Sequence, residues 1–203
     1  MTVSRKHPFV RALRRLPLAM LPLAATFAVG AADQQAGYAV DQGSFHPPVH
    51  RDSSPLVEKV RRATARFRDI NTIINNPDWV QATPCVSGPN EGAMGVHFLK
   101  TSRLHDGTLK GDEPEFLIYE PQGNGSFRLV GVEFVTLASE WADHHPEGGP
   151  AVLDGHLTNF VDTPNRYGLP AFYELHVWAW EDNPNGNFAD WNTQVSCDKQ
   201  KAE

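Results

Sequence analysis

The stretch that most restricts the fold is residues 171–180, AFYELHVWAW. Its side chains change character with a period of two, the period of a β-strand, in which successive residues point to opposite faces of a sheet. One face carries Phe172, Glu174, His176, Trp178 and Trp180, and the other carries Ala171, Tyr173, Leu175, Val177 and Ala179. The second set suits a packed core. The first places a carboxylate and an imidazole among three large aromatic rings. That mixture fits neither a solvent-washed face nor an ordinary core, and it predicts a half-enclosed pocket lined by polar and aromatic groups.

The segments before it supply partners for such a strand. Residues 95–99 form a short strand with His97 on one face and Val96 and Phe98 on the other; the small residues Gly92, Ala93 and Gly95 permit close backbone approach there. Residues 114–121 and 126–137 are strands joined by Gln122-Gly123-Asn124-Gly125, a hairpin turn signal. In the second, alternation groups Val130, Val132 and Phe134 on one face and Leu129, Gly131, Glu133 and Val135 on the other. Glu133 is thus an acid in the middle of an apolar strand, and carboxylates are rarely buried without a partner.

Residues 53–75 read as one long helix. Ser54 stands at a capping position, Pro55 fits the first turn, and Leu56, Val60, Ala63, Phe67, Ile70 and Ile74 recur at spacings of four and three. Lys59, Arg61, Arg62, Arg66 and Arg68 cover the remaining surface as a solvated face, and Asn75-Asn76-Pro77 ends the helix. Residues 139–170 form a loop-rich connection, long enough to lie over a site as a lid. Asp143, His144, His145 and Glu147 within it read as an exposed loop. The expected fold is α+β: one domain over 53–203, with a mainly antiparallel sheet of four or more strands and the long N-terminal helix packed on it. A barrel-like closed sheet is the alternative.

The N-terminus points to export. Arg5, Lys6, Arg11, Arg14 and Arg15 precede an apolar run over 16–29, closed by the small residues Gly30, Ala31 and Ala32. This is the pattern of a cleaved secretory signal peptide over 1–32; the run is too short, and too broken by Pro17 and Pro22, for a retained membrane span. Residues 33–52 follow as a flexible polar arm that includes His46 and His50. The expected location is the periplasm or the exterior, with no membrane insertion after cleavage. The leader removes five of the 18 Lys and Arg, leaving 13 against 24 Asp and Glu. An acidic balance of that size disfavours nucleic acid as a partner and suits cations. The two cysteines, Cys85 and Cys197, are expected to form a disulfide in an oxidising compartment.

No Gly-x-Ser-x-Gly, phosphate-binding glycine loop or His-Glu-x-x-His occurs. Chemistry is carried instead by residues spread over strands: His97, Glu133 and His176, with Glu115 and Glu174 as outer candidates. Two imidazoles and a carboxylate suffice for a divalent transition metal with an open coordination position. Alternatively, each group is satisfied separately, Glu133 by Arg128 or Arg166 and the histidines by backbone or water, in a structural envelope protein. In a third reading the face binds a small organic or sugar-like ligand without metal, with Glu115 and Glu174 bonding it and Trp178 and Trp180 as stacking surfaces. At GAMGVHF, PEFLIYEP, LVGVEF and ELHVWAW the chain resembles small exported bacterial proteins of unknown function. That resemblance implies secretion and a single domain, and no activity.

Overall fold

The computed structural model describes residues 54–200; the expected leader, the arm and its His46 and His50 lie outside the described residues. In chain order the elements are α1 (Pro55–Thr64), a 3-10 turn (Ala65–Arg68), α2 (Asn71–Ile74), β1 (Trp79–Gln81), β2 (Val86–Gly88), β3 (Gly92–Lys100), a second 3-10 turn (Thr101–Arg103), β4 (Phe116–Pro121), β5 (Phe127–Leu137), α3 (Ala138–His144), β6 (Val152–Leu153), β7 (His156–Leu157), β8 (Asn159–Val161) and β9 (Phe172–Val177). Seven strands form one sheet in the order β1-β3-β4-β5-β9-β8, with β2 also pairing along β3. Every pairing is antiparallel. The α+β expectation holds at this level. The sheet is open, so the barrel alternative is not what forms.

The β4–β5 hairpin closes where the turn signal lies: Gly125 N–H donates to the Gln122 carbonyl at 3.0 Å and Gln122 N–H to the Ser126 carbonyl at 2.8 Å. Gly95 has φ +97°, and a Cβ there would stand 2.7 Å from the Tyr119 carbonyl oxygen, so only glycine lets β3 approach β4 this closely.

Directly opposed residues in a ladder share a face. One face carries Val96, Phe98, Leu117, Tyr119, Val132, Phe134, Leu175 and Val177, and it packs with Leu56, Val57, Val60, Phe67 and Ile73 of the helical segment. Tyr119 Oη donates to the Phe67 carbonyl at 2.7 Å and Arg61 Nε to the Ala179 carbonyl at 2.6 Å, which fastens that segment down. The other face carries His97, Phe116, Ile118, Glu133 and His176.

Three sequence expectations are corrected. The helix does not run from 53 to 75: α1 ends at Thr64, Asp69 is extended (φ −90°, ψ 107°), and its Oδ1 accepts the Asn71 N–H at 3.0 Å to start a new turn. The break shifts the apolar phase by one residue, so Ile73 is buried while Ile74 is half exposed, and the Ser54 side chain makes no capping bond. Second, a bulge opposite Ile118 and Tyr119 leaves Val130 out of the ladder. Leu129 therefore joins the helix-side core and Val130 packs with Ile118 and Trp178 on the opposite face, the reverse of simple alternation. Third, Trp180 does not share a face with His176. The strand ends at Val177, the freed Val130 carbonyl accepts the N–H of Trp180 at 3.0 Å and of Glu181 at 3.1 Å, and the Trp180 indole turns to donate to Thr64 Oγ1 at 3.0 Å on the helix side.

Cys85 and Cys197 are joined, across a sequence separation of 112 residues. In the chain-entropy treatment a loop of that size stabilises the fold by about 4–5 kcal/mol.

Glu115, at the start of β4, is buried, and its Oε2 accepts the Val135 N–H at 2.9 Å. Burial raises its carboxyl to about 8, against the Val135 bond, which lowers it. The unfolded chain releases this proton near the ordinary value of 4.5 while the folded chain retains it. Stability from this group is thus complete at low pH and declines as pH rises through that window. Glu115→Gln, whose amide oxygen can keep the Val135 bond, is expected to flatten this decline and to exceed the native chain in stability at pH 9 by about 2–5 kcal/mol. Urea unfolding of both proteins at pH 4 and pH 9 checks the difference.

Candidate metal centre

On the sheet face away from α1, Glu133 of β5 sits directly opposite His176 of β9. His97 of β3 pairs with Ile118, two residues from Phe116, which itself opposes Glu133. The three functional side chains thus come from three strands and meet over the middle of the sheet. Each offers a ligand atom, and these atoms lie within 4.8 Å of one another. His97 Nε2 stands 3.6 Å from Glu133 Oε2, and the two imidazole rings are 6.0 Å apart, edge to face. His97 and Glu133 are 0% exposed and His176 1%. The group is therefore enclosed, where alternation in the sequence had suggested a half-open pocket.

Apolar packing brackets the group. At one end lie Leu99, Phe116, Val135, Leu137 and Phe172, and at the other Ala93, Ile118, Val130, Trp178 and Val195. Trp178 stacks beside His176 with ring centroids 6.3 Å apart, and its Nε1 donates to the Ala189 carbonyl at 2.6 Å, so it serves as wall. Gly131 makes room for it: a Cβ there would come within 3.2 Å of the indole. The cover is the end of the long connection over residues 139–170. Asn165 Oδ1 accepts the N–H of Tyr167 and of Leu169, both at 3.2 Å, and its Nδ2 donates to the Leu169 carbonyl at 2.8 Å. That frame sets the Tyr167 ring 5.7 Å from His97, with its hydroxyl donating to Glu133 Oε2 at 3.0 Å.

The remaining bonds single out specific atoms. Thr83 Oγ1 lies 3.1 Å from His97 Nδ1 and accepts the His97 backbone N–H at 3.3 Å. His176 Nδ1 stands 3.6 Å from Asp190 Oδ1, beyond hydrogen-bond reach. Among the described residues, six buried side-chain polar atoms have no hydrogen-bond partner, and four of them are here: His97 Nε2, Glu133 Oε1 and both ring nitrogens of His176. Buried polar atoms are almost always paired, so this concentration calls for a common partner. Neither proposed arginine supplies one: Arg128 pairs with Glu120 and Glu181, and Arg166 reaches the Met94 sulfur.

The electrostatics suit a cation. Burial, then His176 and Arg166, hold His97 well below the ordinary histidine value, so its imidazole is neutral, the form that binds metal. Burial and the neighbouring Glu174 carboxyl push Glu133 well above the ordinary carboxylate range, against the Tyr167 bond. A positive ion at this point reverses that preference and restores the carboxylate.

Of the outer candidates, Glu174 is buried and lies beside the group, whereas Glu115 is engaged with Val135 and Trp180 is on the opposite face. Asp143, His144, His145 and Glu147 fall at the end of α3 and in the turn after it; His145 stacks on Trp141 at 3.6 Å. Sequence reasoning missed Thr83, Tyr167 and Asp190. Tyr167 alone left a trace, in the Asn165–Gly168 turn that aims it. No protein-family model, curated protein or solved structure matches this chain.

Tyr167→Phe removes the hydroxyl that holds Glu133 while leaving the ring. It is expected to weaken divalent-metal affinity about 10- to 100-fold, the usual effect of deleting a group that orients a ligand. Calorimetric titration of Zn²⁺ into the metal-stripped variant and the native protein measures it.

Proposed function

We propose that this is an exported protein whose centre, His97, Glu133 and His176, binds one divalent transition-metal ion. The observation that carries the reading is the set of unpaired buried atoms, His97 Nε2, Glu133 Oε1 and the His176 ring nitrogens, on three strands whose residues each offer a ligand atom within 4.8 Å of the others. In the tautomer whose Nδ1–H donates to Thr83 Oγ1, 3.1 Å away, His97 Nε2 keeps the lone pair a metal needs. Two imidazole nitrogens and one carboxylate favour a borderline ion such as zinc or ferrous iron over magnesium or calcium, which require more oxygen ligands. A metal-free organic ligand on the same face fits less well, because the enclosing Tyr167, Phe116 and Trp178 leave the three polar groups 0–1% exposed. When bound, the ion supplies Lewis acidity at any coordination position the protein does not fill.

Elemental analysis of untagged native protein is expected to find about one equivalent of a transition metal per chain, with His97→Ala and His176→Ala each losing it. Absence of metal from mildly purified native protein, with no uptake on Zn²⁺ or Fe²⁺ addition, would overturn the reading.

The export half draws support from the basic and apolar leader pattern and from the Cys85–Cys197 disulfide, which fits an oxidising compartment. N-terminal sequencing of protein from the producing cell is expected to begin near Ala32 or Asp33; an intact Met1 in membrane-embedded material would contradict it.

A further inference from the structure

The metal-binding reading leaves a physical problem. His97 and Glu133 are 0% exposed and stand between two apolar clusters. A divalent cation arrives with a tightly held water shell, and taking it through apolar packing without replacement ligands is prohibitively costly. The ion needs a place to exchange water for protein ligands one at a time.

We propose that Glu174, His176 and Asp190 form a loading position through which the cation reaches the buried centre, an inference that rests on the metal reading of His97, Glu133 and His176. Ligand atoms of these three residues lie within 4.8 Å of one another, so they make a second constellation able to hold the same class of ion. It shares His176 with the buried one. That residue is 1% exposed, yet neither of its ring nitrogens has a hydrogen-bond partner, and Nδ1 faces Asp190 Oδ1 at 3.6 Å. An ion held with Asp190 meets Nδ1, the ring nitrogen that faces that carboxylate.

Exposure runs in the required order. It is 34% for the Asp190 side chain and 8% for Glu174, and it falls to 1% at His176 and zero at Glu133 and His97. Exposure thus falls from the Asp190 rim to the buried groups. Asp190 is held there by Asn159, whose Nδ2 donates to Oδ1 at 3.0 Å. The cation first takes carboxylate oxygens of Asp190 and Glu174 in exchange for water. It then passes to Glu133 and His97, with His176 the residue common to both positions, and no covalent bond is made or broken.

A loading position lowers the barrier in both directions, so its loss slows uptake and release together and leaves Kd nearly unchanged. Stopped-flow Zn²⁺ uptake, and release to a chelating indicator, test this on metal-stripped, disulfide-intact protein. Asp190→Asn is expected to slow both rates about tenfold, the low end of what a focusing carboxylate contributes to association. Asp190→Glu, which keeps the charge, is expected to restore them. Unchanged rates in the Asp190→Asn, Glu174→Gln double variant would overturn the loading role while leaving the buried site standing. A Kd weakened in step with His97→Ala, with faster release, would also overturn it, because both acids would then be ligands of one centre. A native chain that takes up no Zn²⁺ at all would instead remove the metal reading itself, and the loading position with it.

Discussion

Two imidazoles and a carboxylate sit in the interior of this sheet with hydrogen-bonding capacity left over, and the fold around them is arranged to bear that cost. A buried carboxyl group with an unpaired oxygen is costly, and an ionised one more so. Glu133 is nevertheless fully enclosed, opposite His176 in the β5–β9 ladder. A cation shared among Glu133, His97 and His176 would turn three separate penalties into one coordination sphere.

The rest of the molecule holds that geometry. Three ladders, β3–β4, β4–β5 and β5–β9, place the three side chains on one face, and α1 with its 3-10 extension seals the opposite face with an apolar cluster. The disulfide contributes at a distance. Cys85 follows Thr83, which meets His97, and Cys197 ends the tail that carries Asp190 and the Ala93–Asn192 bridge. The crosslink therefore ties the segment orienting one histidine to the segment beside the other. Tyr167, set by the Asn165 turn, closes the top through its bond to Glu133.

This construction favours holding an ion over admitting a large substrate. The enclosing rings Phe116, Tyr167 and Phe172 pack on one another at 5.4–5.7 Å. The clefts at Gln81 and Phe127, beside Arg68 and Trp180, and along Lys59 and Arg62 are lined by other residues. Beside His176 lie Glu174 and the partly exposed Asp190.

Alternation of residue type is local, so it was readable in the chain: His97 against Val96 and Phe98, Glu133 within an apolar strand, Glu174 and His176 on one face, the β4–β5 turn, and an antiparallel α+β sheet. Those features follow from the two-residue period of a strand and from glycine-rich turn chemistry, which act on near neighbours. What depended on distant parts of the chain was not readable there. The helix broke at Asp69 because its second half follows the core and not the period of the first. The Val130 bulge exchanged the faces of Leu129 and Val130, and the same free carbonyl turned Trp180 away from the site. Thr83, Tyr167 and Asp190 took their places only because β1, the Asn165 turn and the tail fold over one sheet. The sequence by itself determined which side chains each strand presents to each face. The tertiary structure alone decided which of those faces meet, because strand register, bulges and covering loops are set by packing between residues far apart in the chain.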